Sequence, residues 1–169
     1  ADQTVYANSE KIQRVIEAHA DSMWKMFQGV YQVNQLRINY EQGHDPYDLV
    51  IRARNDVGII GNFNLEEIYG LCNNNNNAVI ISDNHRHGHR SLKLNDIFAV
   101  SLPKNITIYC DLVNNIVKYN QEGIPFHPET LLAHHLTTNN LKVEDIGFEV
   151  VLRSQGSVIK GKYTSDFGR

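Results

Sequence analysis

The residues best suited to chemistry lie in one run, Asp83-Asn84-His85-Arg86-His87-Gly88-His89-Arg90. In an extended segment the period of two puts Asp83, His85, His87 and His89 on one face. A carboxylate and three imidazoles so arranged can ligate a divalent transition metal such as zinc or manganese. The metal would lower the pKa of a bound water and generate the nucleophile of a metal-dependent hydrolase, a nuclease or phosphoesterase. His134 and His135 are further candidate ligands if the helix carrying them packs nearby. Against this, Arg86 and Arg90 would oppose a dication. A glycine-containing polar run close to the five asparagines at 73–77 also reads, more simply, as an exposed loop.

Other constellations are weaker, and no catalytic residue can be assigned. His89-Arg90-Ser91 and His135-Leu136-Thr137 share a His-x-Ser/Thr spacing in which one imidazole could act as base and the other as acid. The second of them, however, ends an expected helix rather than lying on a strand. No serine sits in a Gly-x-Ser-x-Gly elbow, and Gly58-Ile59-Ile60-Gly61 lacks the lysine of a phosphate-binding loop. Cys72 and Cys110 are too far apart in sequence for a close-spaced metal motif. A disulfide between them would be worth about 3–4 kcal/mol in the chain-entropy model; as free thiols they would be small buried apolar residues. Asn105-Ile106-Thr107 matches the glycosylation sequon, but it opens a strand-like run.

The elements that must position these residues are clearer. Asn8 or Ser9 can cap a long helix whose apolar stripe runs Ile12, Val15, Ile16, Ala20, Met23, Phe27, Val30 and Tyr31, with Trp24 and Met26 widening it. Gly29 weakens its last turns by roughly 1 kcal/mol relative to alanine, and Gly43-His44-Asp45-Pro46 stops it. Such a helix, over about 9–40, is longer than a domain of this size needs to cover its core. Part of the stripe is therefore expected to meet a protein partner or a second copy, with Trp24, Met26, Phe27 and Tyr31 as candidate contacts.

Beyond it, strands are expected at Tyr47–Ala53, Ala78–Ser82 and Ile97–Leu102, and short helices at Leu65–Leu71, capped by Asn64, and from Pro128 through Leu136. The asparagine run reads as a polar loop that cannot pack. Two hairpins are expected to complete the sheet. In one, Ile106, Ile108, Cys110 and Leu112 alternate inward, Asn114-Asn115 turns, and Ile116–Tyr119 returns. In the other, Phe148–Arg153 turns at Gln155-Gly156 and returns as Ser157–Tyr163. The expected fold is α+β within one domain, 1–169: a long N-terminal amphipathic helix packed on an antiparallel sheet made of hairpins, with one or two short extra helices and a sheet-rich body over about 47–169.

Composition bounds the function. A net charge of -3 and a pI near 6.2 lack the electrostatic footprint of nucleic-acid binding. No apolar run is long enough to span a membrane. The start, Ala1-Asp2-Gln3-Thr4, has neither the basic nor the apolar region of a signal peptide, which fits a cytosolic chain or a trimmed one. The overlong helix, the non-Met start, the two cysteines and the polar loops favour a non-catalytic extracytoplasmic interaction or assembly domain. Its setting would be periplasmic, secreted or on a cell or virion surface, as a subunit of a surface, secretion or viral assembly. The metal-dependent hydrolase built on Asp83, His85, His87 and His89 is the alternative.

Overall fold

A computed structural model of the chain describes residues 3–61, 63–81, 94–144, 149–154 and 157–158, with side chains at 19–59, 61, 63–81 and 94–144. The first element, α1 (Gln3–Glu41), is one helix about 58 Å long at the ordinary rise per residue. Gly29 does not end it: the helix runs on to Glu41, where Tyr40 stacks on His44 with ring centroids 3.9 Å apart. There follow β1 (Val50–Ala53), β2 (Val57–Ile60), α2 (Leu65–Asn74), β3 (Ala78–Ile80), β4 (Phe98–Ser101) and α3 (Pro103–Cys110). A 3₁₀ turn (Asp111–Asn115), α4 (Ile116–Gln121), α5 (Pro128–Thr138), β5 (Lys142–Glu144), β6 (Glu149–Ser154) and β7 (Ser157–Val158) complete the described elements. The Asn64 carboxamide accepts from the Glu66 and Glu67 N–H groups, so α2 starts where its cap residue predicts.

The α+β class is observed. One sheet has the order β1-β4-β3-β5, and a second has β2-β6-β7. β1 and β3 both flank β4 antiparallel, and β6 pairs antiparallel with β7, Arg153 with Val158 and Ser154 with Ser157, while the expected turn residues Gln155 and Gly156 lie outside the described residues. The expected all-antiparallel sheet needs one correction: β5 runs parallel to β3, with Ala78 beside Lys142 and Ile80 beside Glu144. That arrangement requires a crossover, and the helical stretch between β4 and β5 supplies it.

The expected hairpin over 106–119 is a second correction, because that segment is helical throughout. Its apolar residues fit either period, but Ile106, Tyr109, Cys110, Val113 and Ile116 fall at helical steps and are buried together. Pro103 at the first turn favours the helix, and the Thr107 hydroxyl donates back to the Pro103 carbonyl at 2.9 Å. Alternating β-branched residues mimic a strand when a helix is buried on most of its faces. The described residues therefore hold four α-helices besides α1, not one or two.

Two apolar clusters lie on opposite faces of the four-stranded sheet. Val79, Ile81 and Ala99 face α1, α3, α4 and α5, joined by Met23, Phe27, Leu112, Tyr119, Leu131 and Leu132. Ile80, Phe98 and Val100 face α2, through Ile68 and Cys72. α1 itself contacts α3 and the 3₁₀ turn, so it rests mainly on a helical layer rather than on the strands.

The asparagine run is exposed apart from the half-buried Asn75, as expected of a polar segment, but it is not all loop and it is held by hydrogen bonds. Asn73 and Asn74 finish α2, the Asn75 carbonyl accepts from the Ala78 N–H at 2.8 Å, and the Asn105 side chain donates to the carbonyls of Asn76 and Ala78 at 3.0 and 3.1 Å. Asn105 is buried by those bonds, so the sequon offers no acceptor nitrogen to a glycan.

Candidate functional site

A groove with a volume of about 710 Å³ separates α1 from the outer edge of β1. Met26, Gly29, Val30, Val33, Asn34 and Arg37 of α1 form one wall. Residues 50–55 form the other, and Ile106 and Cys110 of α3 form the floor. Helical steps of three and four bring the α1 residues to one side of the rod. Because α3 rather than the sheet supports α1, a space remains beside the strand. β1 stands at the end of its sheet and, among the described residues, pairs only with β4.

Polar groups reach this apolar trough at few points. Asn34 is 5% exposed; its Oδ1 accepts from Arg37 Nε at 3.0 Å, while its Nδ2 has no hydrogen-bond partner among the described residues. A buried donor left unpaired costs about 1–3 kcal/mol, so it favours any ligand that offers an acceptor. Arg37 closes one end, donating to Glu41 Oε2 at 2.5 Å and to Thr107 Oγ1 at 2.7 Å, which pins the end of α1 to α3. Arg54 pairs with Asp56 at 2.7 Å. Arg52 donates to the Asp96 backbone carbonyl and stands 6.0 Å from the centre of the Tyr109 ring, with no carboxylate partner among the described residues. The lining thus carries three arginines and no acid, on a chain whose net charge is -3.

The thiol in the floor of the groove is held in its neutral form. Burial pushes the Cys110 thiol up to about 12 and outweighs the opposing pull of Arg52 and Arg37, so it stays protonated at neutral pH and is a poor nucleophile. Burial likewise raises the Tyr109 hydroxyl above its ordinary value.

The residues singled out in the sequence are dispersed. Asp83, His85, His87 and His89 lie outside the described residues. His135 is buried and fully engaged: its Nε2 lies 2.7 Å from the Ile108 carbonyl and its Nδ1 2.9 Å from the Tyr119 hydroxyl. A carbonyl can only accept, so Nε2 carries the proton and Nδ1 accepts from Tyr119, which leaves no lone pair for a metal. Burial lowers its pKa, keeping the ring neutral. His134 packs edge-on against Tyr119, with ring centroids 4.6 Å apart, and lies 3.8 Å from Glu122. Among the described residues no three histidine, cysteine or acidic side chains converge as a metal site.

Cys72 and Cys110 are free thiols. They belong to the clusters on opposite faces of the sheet, and a disulfide needs its Cα atoms within about 7 Å. Of the four candidate contacts on α1, Phe27 is core and Tyr31 packs against it, Met26 lines the groove, and Trp24 is exposed. Missed in the sequence were Val33, Leu36 and Tyr40, which carry the stripe onto solvent. Their spacing continues that of Met26 and Val30, and the expected weakening at Gly29 obscured it.

No protein-family model, curated protein or solved structure matches the chain.

Proposed function

We propose that the chain is a non-catalytic interaction or assembly domain that engages a protein partner through the C-terminal half of α1. The observation that carries this reading is the apolar stripe that outruns the core: Val33 is 67% exposed, Leu36 69% and Tyr40 50%. Single exposed apolar residues need no explanation, but three at steps of three and four beside an apolar groove form a continuous surface of the kind that partners cover. Free thiols on opposite faces of the sheet remove the disulfide as a support for an extracytoplasmic setting, so the proposal concerns interaction and not compartment.

A photoreactive amino acid placed at Leu36, and as a control at the exposed Val117 of α4, tests this in the cells that encode the protein. A discrete protein adduct from position 36 and none from position 117 is expected. Equal or diffuse labelling from both positions contradicts the reading. A stoichiometric transition metal in protein purified without chelator, lost on His85→Ala with His87→Ala, would replace it with the metal-dependent hydrolase.

A further inference from the structure

We propose that the groove between α1 and β1 receives an extended segment of a partner polypeptide, which adds to the β1 edge as a fifth strand and points one carboxylate at Arg52 and Asn34. This rests on the interaction reading and narrows it to a kind of ligand and a place.

The shape of the groove supports strand addition. Successive side chains of a strand point to opposite faces. A groove lined by all four residues of β1, Val50 to Ala53, is therefore bounded by the strand's backbone edge and not by one of its faces. The outward N–H and C=O groups of β1 have no strand partner among the described residues, and an added strand would satisfy them at once. Every second side chain of that strand would then meet Met26, Val30 and Val33 on the helix wall. A compact apolar small molecule could fill the space but would leave the backbone edge unpaired.

Charge selects the occupant. Arg37 and Arg54 are neutralised within the chain by Glu41 and Asp56, whereas among the described residues Arg52 is bonded only to a carbonyl. Together with the unpaired Asn34 Nδ2, it asks for one anionic acceptor. The chain's own segments 82–93 and 159–169 are poor occupants, because each holds three basic side chains (Arg86, Arg90 and Lys93; Lys160, Lys162 and Arg169) against a single aspartate.

Fluorescence anisotropy on the full chain tests the proposal with a labelled octapeptide of alternating valine and threonine carrying one central glutamate. Three competitors accompany it: the same peptide with glutamine, the same peptide N-methylated at alternate amides, and dodecanoate. Saturable binding of the glutamate peptide is expected, at least tenfold weaker with glutamine and lost on N-methylation. Gly29→Leu should fill the groove, since a Cβ there meets nothing within 4 Å, and should weaken binding at least tenfold with unchanged Tm. Asn34→Asp keeps an acceptor for Arg37 but removes the free donor and adds repulsion, so it should do the same. Absence of peptide binding, equal affinity for the glutamate and glutamine peptides, indifference to N-methylation or to Gly29→Leu, or binding of dodecanoate alone would each overturn the proposal. If the position-36 adduct forms while the peptide fails, strand addition is wrong and the interaction reading stands; loss of the adduct removes the reading itself.

Discussion

At one edge of the four-stranded sheet lies β5, three residues long, with Lys142 and Glu144 flanking Val143 and all three exposed. At the other lies β1, with its neighbouring helix held off by a groove and apolar side chains on both walls. Exposed sheet edges invite pairing with other chains, and short charged strands are a common way to discourage it. The β5 edge has that protection. The β1 edge, four residues long with Arg52 as its one charge and Ile51 exposed, faces the groove instead. On the proposed reading, one edge is closed to partners and the other is kept open.

The contrast can be broken most forcefully at Arg37. Replacing it with alanine leaves Glu41 without its partner and detaches the end of α1 from Thr107, so urea denaturation should show a loss of about 3 kcal/mol and the groove should lose its wall. A comparable denaturation midpoint in the variant would show that α1 is held elsewhere. The β5 side has its own anchor in His135, which ties α5 to α3 and α4 just before the chain enters β5. His135→Leu leaves the Tyr119 hydroxyl and the Ile108 carbonyl unpaired and should cost about 1–3 kcal/mol.

His135 also gives a pH signature. Its folded pKa is depressed by burial, so its contribution to stability is complete above the ordinary histidine range, near pH 6.5, and is lost as pH falls toward the folded value. Tm should therefore drop between pH 7.5 and pH 5, with a smaller slope in His135→Leu. Gly29→Ala sharpens the other side: helix propensity without a clash should add up to about 1 kcal/mol and leave the groove open to peptide. Smallest of all, Val143→Lys on the protected edge should change stability by no more than about 0.5 kcal/mol and peptide binding not at all.

Much of the fold was legible because local signals agreed with it. Asn64 and Pro128 mark helix starts, the apolar runs before and after 155–156 mark the antiparallel pair β6 and β7, and the stripe from Met23 to Val30 marks the buried side of α1. The segment from Ile106 to Tyr119 was illegible for a physical reason: a helix buried on most of its faces loses the polar side that reveals its period. The bonds that hold the asparagine run were hidden because its partners, Asn105 and Glu144, come from distant segments. The groove was hidden for the same reason. Its α1 wall is a readable stripe, but its other wall is the edge of a strand, and edge position depends on strand order, which no local pattern encodes.

Backbone amide hydrogen exchange of the full chain, followed residue by residue with and without the glutamate peptide, bears most directly on whether β1 is an open edge that takes a strand. The free protein should exchange readily at the outward amides within Val50–Ala53, and saturating peptide should slow them at least tenfold while Lys142–Glu144 stay as they were. Outward β1 amides already protected in the free protein, or slowing confined to β5, would contradict the account.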